Sequence, residues 1–267
     1  MKTIHFISGL PRSGSTLLAN LLAQNPRFQA AGTSGLVDML FTVRNAWDTV
    51  PEFLAMSPKE SEAAKLRVLR GMAANYHAGH DRPVVFDKSR SWLAYLEMAE
   101  TILEHPAKVL VPVRDLRDVL ASMELLWRRL SATRQFPHER ANFYSFQCAE
   151  DRCQYWTGPR GTVGIAQRRV HDAFLRGFGD RLHLVHFERL TSDPAGTMAA
   201  IYEFLGESPY AHDFKSAWPA TTENDLAYGM PGLHATRLEV ESRPSQWEEV
   251  LGDAVRPYFS ACVPNSD

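Results

Sequence analysis

The sequence predicts an α/β fold whose parallel sheet is covered by helices on both faces. Three observations carry this. Short apolar runs alternate with longer segments of helical period, the pattern of βαβ units. The 267 residues are 45% hydrophobic, enough to bury a sizeable core. Neither an internal repeat nor a low-complexity segment interrupts the alternation.

Residues 3–7 read as the first strand and 8–13 as a turn. Leucines at 17, 18, 21 and 22 give residues 16–24 a helical stripe, closed by Asn25-Pro26. Ser57-Pro58 reads as an N-cap with proline at the first helical position, and Ala63, Leu66, Leu69, Met72 and Tyr76 follow at helical spacing. Residues 83–87 read as a second strand, 91–104 as a helix, 108–113 as a third strand and 116–130 as a helix. A helix near 165–175 leads into a fourth strand over 183–187, and 193–205 is helical up to Gly206. Residues 207–240 read as a long surface excursion, and a last helix begins near Ser245. Ligands of such sheets bind beyond the carboxyl ends of the strands, which singles out residues 8–16, 87–90 and 114–118.

The chain carries 29 basic and 31 acidic residues, a net charge of −2. This balance, with the apolar fraction, excludes intrinsic disorder and a broad nucleic-acid surface, but not a local basic pocket. Cys148, Cys153 and Cys262 are too few and too irregular for a disulfide framework or a zinc site and read as reduced thiols. No apolar run reaches the roughly 20 residues of a membrane span, and Gly9 comes too soon for a signal peptide. The expectation is a cytoplasmic protein with no metal, no nucleic acid and no membrane span.

Gly9-Leu10-Pro11-Arg12-Ser13-Gly14-Ser15-Thr16 follows the first strand. It has the outline of a P-loop, G-x-x-x-x-G-K-[ST], with Ser15 at the lysine position. Backbone N–H groups converging at a helix N-terminus suit a phosphate. The missing lysine argues against an ordinary ATPase, where it reaches the β- and γ-phosphates beside a magnesium-holding hydroxyl. Only Val84-Val85-Phe86-Asp87 has the shape of a magnesium-holding strand, and Lys88 follows at once.

Pro11-Arg12-Ser13-Gly14-Ser15-Thr16-Leu17 resembles the 5′-phosphosulfate loop of sulfotransferases that use 3′-phosphoadenosine 5′-phosphosulfate (PAPS), most of all the tyrosylprotein and bacterial branches, which read P-R-S-G-T-T-L. Val113-Arg114-Asp115-Leu116-Arg117-Asp118, with Ser122 on the helix behind it, resembles the family's 3′-phosphate segment. Leu184-Val185-His186-Phe187-Glu188-Arg189-Leu190 with Asp193-Pro194 resembles its V-x-Y-E-x-L…P junction, and Glu241-Ser242-Arg243-Pro244-Ser245-Gln246-Trp247 resembles loosely its R-x-S-x-W segment. The resemblance implies a P-loop-kinase-like three-layer fold with a central parallel sheet flanked by helices, as one sulfotransferase domain over 1–267. It implies in-line transfer of a sulfuryl group from PAPS, without a metal, to a hydroxyl of a small molecule, sugar, lipid or peptide. The cofactor-binding residues it implies are Arg12, Ser13, Gly14, Ser15, Thr16, Arg114, Ser122, Arg243 and Ser245. An Arg114–Asp118 ion pair and a helix cap at Ser245 stand as alternatives. Asp115, Arg117 and Asp118 read as a local charge network, and Glu188 as a structural hydrogen-bonding group.

Sulfuryl transfer needs cations at the sulfonate and bridging oxygens, and a base for the acceptor proton. Arg12 is the first cation. Lys88 is the second, since the tyrosylprotein and cytosolic branches carry a catalytic lysine just after the corresponding strand. Neither branch's base carries over: the stretch of the tyrosylprotein glutamate is Ala31-Gly32-Thr33-Ser34-Gly35, and Arg90 stands at the position of the cytosolic histidine. Asp38 is expected as the base first and His234 second, with Asp87 the remaining candidate. The aromatic segment 127–160 reads as core or as an acceptor pocket, and residues 158–164 as a loop. A P-loop small-molecule or nucleotide kinase and a catalytically inactive nucleotide-binding protein of the same fold are the rival readings.

Overall fold

The computed structural model describes residues 2–131 and 142–252; Cys262 and part of the aromatic segment lie outside the described residues. Five parallel strands, β1 (Thr3–Ile7), β2 (Phe28–Thr33), β3 (Val84–Lys88), β4 (Val109–Val113) and β5 (Leu182–His186), lie in the order β2-β3-β1-β4-β5. The described helices are α1 (Ser15–Ala23), α2 (Leu36–Trp47), α3 (Pro51–Leu54), α4 (Pro58–Tyr76), α5 (Leu96–Leu103), α6 (Leu116–Ser131), α7 (Ala149–Thr157), α8 (Thr162–Leu175), α9 (Phe187–Ser192), α10 (Pro194–Leu205) and α11 (Trp247–Leu251).

Four strands fall where the apolar runs put them. β2 was not foreseen, because Phe28-Gln29-Ala30-Ala31-Gly32-Thr33 has one large apolar residue and a glycine, a weak strand signal. It forms by pairing with β3, Phe28 opposite Val84 and Thr33 opposite Lys88, and buries Phe28. The helix expected over 91–104 divides at Tyr95 into a 3₁₀ turn, Trp92–Ala94, and α5. Thr162 already opens α8, so the glycine-rich segment is a loop only as far as Gly161. Ser57 caps α4 as its sequence suggests, accepting from the Glu60 N–H, with Pro58 at the first position.

Period-two alternation sends successive side chains of β1 to opposite faces. Ile4 and Phe6 pack with Leu36, Leu40, Leu69 and Leu96, and Ile7 packs with Leu18, Leu22, Met198 and Ile201. The sheet is thus the middle of three layers, as the sequence predicts. A third cluster joins Val119 and Leu120 of α6 to Phe146, Trp156 and Leu251. The fully buried Glu124 pins α6 within it: Arg152 donates to Glu124 through Nε at 2.7 Å and Nη2 at 2.6 Å, and Arg128 donates at 2.8 Å. Burial opposes the charge on Glu124, but the two guanidiniums outweigh it and hold the carboxyl below its usual range. Among the described residues no helix is long and apolar enough to cross a membrane.

This strand order places the site. After β1 the chain goes towards β2, and after β4 towards β5, so the loops leaving these neighbours part in opposite directions. A crevice opens at that switch point, between the phosphate loop and Arg114.

Candidate functional site

The phosphate loop turns on two left-handed residues, Arg12 at φ 58° and Gly14 at φ 85°. Only glycine fits the second, because a Cβ there would lie 2.6 Å from the Phe187 ring. The turn delivers the chain into the N-terminus of α1, where free N–H groups and the helix dipole favour an anion. Arg12, Gly14, Ser15 and Thr16 line a cleft of about 890 Å³. Ser13 does not: its hydroxyl donates to the carbonyls of Leu10 at 2.6 Å and Pro112 at 3.0 Å, so only its backbone remains for a ligand.

Arg114 leaves the tip of β4 and stacks on Phe187 at 4.4 Å. It donates to the Arg12 carbonyl at 3.3 Å, while its buried Nε has no partner among the described residues. The alternative pairing with Asp118 does not form; Asp118 instead accepts from the Ser245 hydroxyl at 2.7 Å and the Gln246 N–H at 3.3 Å. Ser122, two turns into α6, accepts from Arg12 Nε at 3.1 Å. Its own hydroxyl proton is left to donate into the cleft, which it lines. Arg12 also donates to the Leu233 carbonyl.

Arg243 reaches the cleft edge, paired with Glu241. Ser245 is not brought into the cleft: its hydroxyl is taken by Asp118. Nor does it cap a helix, since α11 begins at Trp247 with Gln246 before it. Arg117 and Asp115 form the local charge pair expected, and Glu188 accepts from the Asp115 N–H at 3.0 Å.

Lys88 closes β3 opposite Ile7, beside the phosphate loop. Its buried Nζ lies 3.1 Å from Glu223 Oε1 and 3.5 Å from Thr16 Oγ1. Burial pushes the pKa of the ammonium down, and Glu223 opposes that shift. Burial also disfavours the charge on Glu223, but Lys88 and the Thr33 N–H outweigh it and keep its carboxyl below the usual range. Gly32 makes room for this pair: a Cβ there would lie 2.7 Å from the Glu223 carboxyl carbon.

Glu223 belongs to the segment 207–240, which is a wall of the cleft rather than a surface excursion. Near each end it is tied to α1 and the residue after it: Gln24 donates to the Asp213 carbonyl at 2.8 Å, and Asn20 to Thr236 at 3.1 Å. Between these ties Tyr228, Met230, Leu233 and His234 line the cleft. His234 Nδ1 donates to Asp225 Oδ1 at 2.6 Å, and its Nε2 lies 3.4 Å from Thr33 Oγ1.

The model of the sulfotransferase family matches residues 5–211, more than half of the chain. The chain belongs to the sulfotransferase family. No curated protein matches the sequence significantly. Three solved structures share its fold. The sulfotransferase domain from the curacin biosynthetic pathway is 18% identical at a TM-score of 0.51, covering 96% of this chain and 91% of its own. Sulfotransferase STF9 from Mycobacterium avium is 16% identical at 0.50, covering 98% and 76%. Retinol dehydratase, solved with androsterone and the inactive cofactor PAP, is 13% identical at 0.51, covering 98% and 80%.

The three carboxylate or imidazole candidates of this chain separate cleanly by position. Asp38 is exposed in the first turn of α2 and does not line the cleft. The buried stripe of α2 runs through Leu36, Val37, Leu40 and Trp47, which turns Asp38 to the other side. Asp87 is buried in the sheet, accepting from Trp92 Nε1 at 2.6 Å and lying 3.1 Å from His77 Nε2. Its side chain points away from the Lys88 side, so it is neither a base nor a metal ligand for the cleft. Only His234 faces the cleft. Sequence reasoning missed Glu223 and Asp225; their one signal was a pair of carboxylates close before His234.

Proposed function

We propose that this sulfotransferase-family protein transfers a sulfuryl group from PAPS to a hydroxyl. The observation that carries the reading is the pairing, in one crevice, of a glycine-turned loop lacking the kinase lysine with Arg114 and Ser122, whose free donors suit a second phosphate. The residues fit the donor. The N–H groups of the loop and α1 suit its 5′-phosphosulfate, and the Arg114 guanidinium and the Ser122 hydroxyl suit its 3′-phosphate. When bound, PAPS supplies a sulfuryl group on a phosphate leaving group.

The remaining chemistry is the chain's own. Arg12 and Lys88 place positive charge beside the phosphate loop, where negative charge grows on the leaving oxygen. Asp225 fixes the Nδ1 proton of His234, leaving the Nε2 lone pair to take the acceptor's hydroxyl proton. Asp225 then stabilises the imidazolium. Glu223 steadies the Lys88 ammonium against its burial.

A kinase reading has less support, with Ser15 at the lysine position and Asp87 bound to Trp92. An inactive binding protein has no use for the His234–Asp225 pair in the cleft. A transfer assay with radiolabelled PAPS over phenols, sugars, lipids and peptides tests the proposal. Labelled product with the wild type and none with Lys88→Ala is expected. Phosphoryl transfer from ATP, with none from PAPS, sinks it.

A further inference from the structure

The cleft continues past the phosphate loop. Its lining is apolar in part, with Met123 and Leu126 from α6, Phe146, Trp156 from α7, and Met230 and Leu233 from the 207–240 segment. Two arginines are set into the same lining: Arg90, two residues after Lys88, and Arg160, in the turn between α7 and α8. Among the described residues neither guanidinium has a hydrogen-bond or ion-pair partner. The charged neighbour of Arg90 is another cation, Arg169, which donates to the Arg90 carbonyl at 3.1 Å.

The carboxylates lining the described cleft are Asp118, Glu239 and Glu241. Asp118 is bound to Ser245 and Gln246, and Glu241 to Arg243, at the α6 and α11 end. The donor groups assigned above sit at β1 and β4. Arg90 follows β3, on the other side of β1 from β4, so strand spacing sets its strand about 10 Å from that of Arg114. Both side chains are exposed in the cleft lining, so an anion entering the cleft meets them without breaking an existing ion pair. Their planar forks match a carboxylate or phosphate.

Building on the sulfotransferase reading, we propose that the acceptor is itself an anion: a hydroxyl compound with an apolar or aromatic body and a carboxylate or phosphate that Arg90 and Arg160 bind. Arg90 and Arg160 are then specificity residues, distinct from the groups that hold the donor.

Calorimetric titration of the PAP-saturated protein tests this. The probes are para-hydroxybenzoate, para-hydroxyphenyl phosphate and methyl para-hydroxybenzoate, with ω-hydroxydodecanoate and its methyl ester as an aliphatic pair. The expected result is an anion bound about tenfold more tightly than its ester, with the benzoate and phosphate arms telling which anion is preferred. Arg90→Ala and Arg160→Ala each reduce that preference, and Arg90→Lys keeps part of it, which separates lost charge from lost folding. Equal affinity for anion and ester, no binding of any probe, or a preference that survives both alanine substitutions overturns the inference. PAP titrated alone separates the two levels. Absent PAP binding by the wild type counts against the donor reading, whereas intact PAP binding without anion preference overturns only the acceptor class.

Discussion

His234 has the two contacts a general base needs, Nδ1 held by Asp225 and a place in the cleft wall. His234→Gln is expected to lower kcat by about 10²–10⁴-fold, with Asp225→Asn acting in the same direction. A His234→Gln enzyme that turns over like the wild type across pH removes His234 from the mechanism. The Lys88–Glu223 pair has its own signature. Burial lowers the lysine's pKa and Glu223 opposes it, so Glu223→Gln makes the ammonium lose its proton at lower pH. The alkaline limb of the rate–pH profile should therefore shift to lower pH; a limb that stays in place shows that Glu223 does not support the charge. The placement of Arg12, Lys88 and Arg114 in the cleft was legible because each ends or follows a strand inside a short contiguous motif. Glu223 was not, since it lies 135 residues from Lys88 in sequence and no periodicity specifies the path that joins them.

Among the elements, the phosphate loop and β2 make opposite demands on their glycines. Gly14→Ala forces a side chain into left-handed backbone against Phe187 and is expected to cost about 1–3 kcal/mol together with donor affinity. Gly32→Ala meets the flexible Glu223 side chain instead. It should displace Glu223 and reproduce the alkaline shift of Glu223→Gln with little change in Tm; a large fall in Tm would show that the backbone, not Glu223, is what Gly32 accommodates. Elements with strong period were readable, such as α1 with its leucines and α4 with its cap. β2 was not, because its identity comes from pairing with β3 rather than from its own side chains. Asp38 was misjudged for a related reason: the buried stripe of α2 decides which way it points, and that stripe is fixed by the core.

Across the whole molecule, burial also writes a pH dependence into stability. His5, on β1, is 5% exposed, and neither ring nitrogen has a partner among the described residues. Burial, aided by Lys108 and His105, pushes its pKa from 6.5 down to about 4. Between those values the unfolded chain takes up a proton that the folded chain refuses, so stability falls as pH drops through the window. The loss approaches about 3 kcal/mol below it. His5→Leu should flatten the slope of Tm with pH in that window, and an unchanged slope assigns it to other groups. The net charge of −2 conceals a similar segregation, since Arg12, Lys88, Arg90, Arg114 and Arg160 all line one cleft.

That cluster gives the most direct measurement: calorimetric titration of the wild type and Arg114→Ala with PAP and with ATP–magnesium. PAP should bind the wild type in preference to ATP–magnesium, and Arg114→Ala should weaken it about 10–100-fold. Preferential binding of ATP–magnesium, or PAP affinity indifferent to Arg114, contradicts a sulfuryl-donor site.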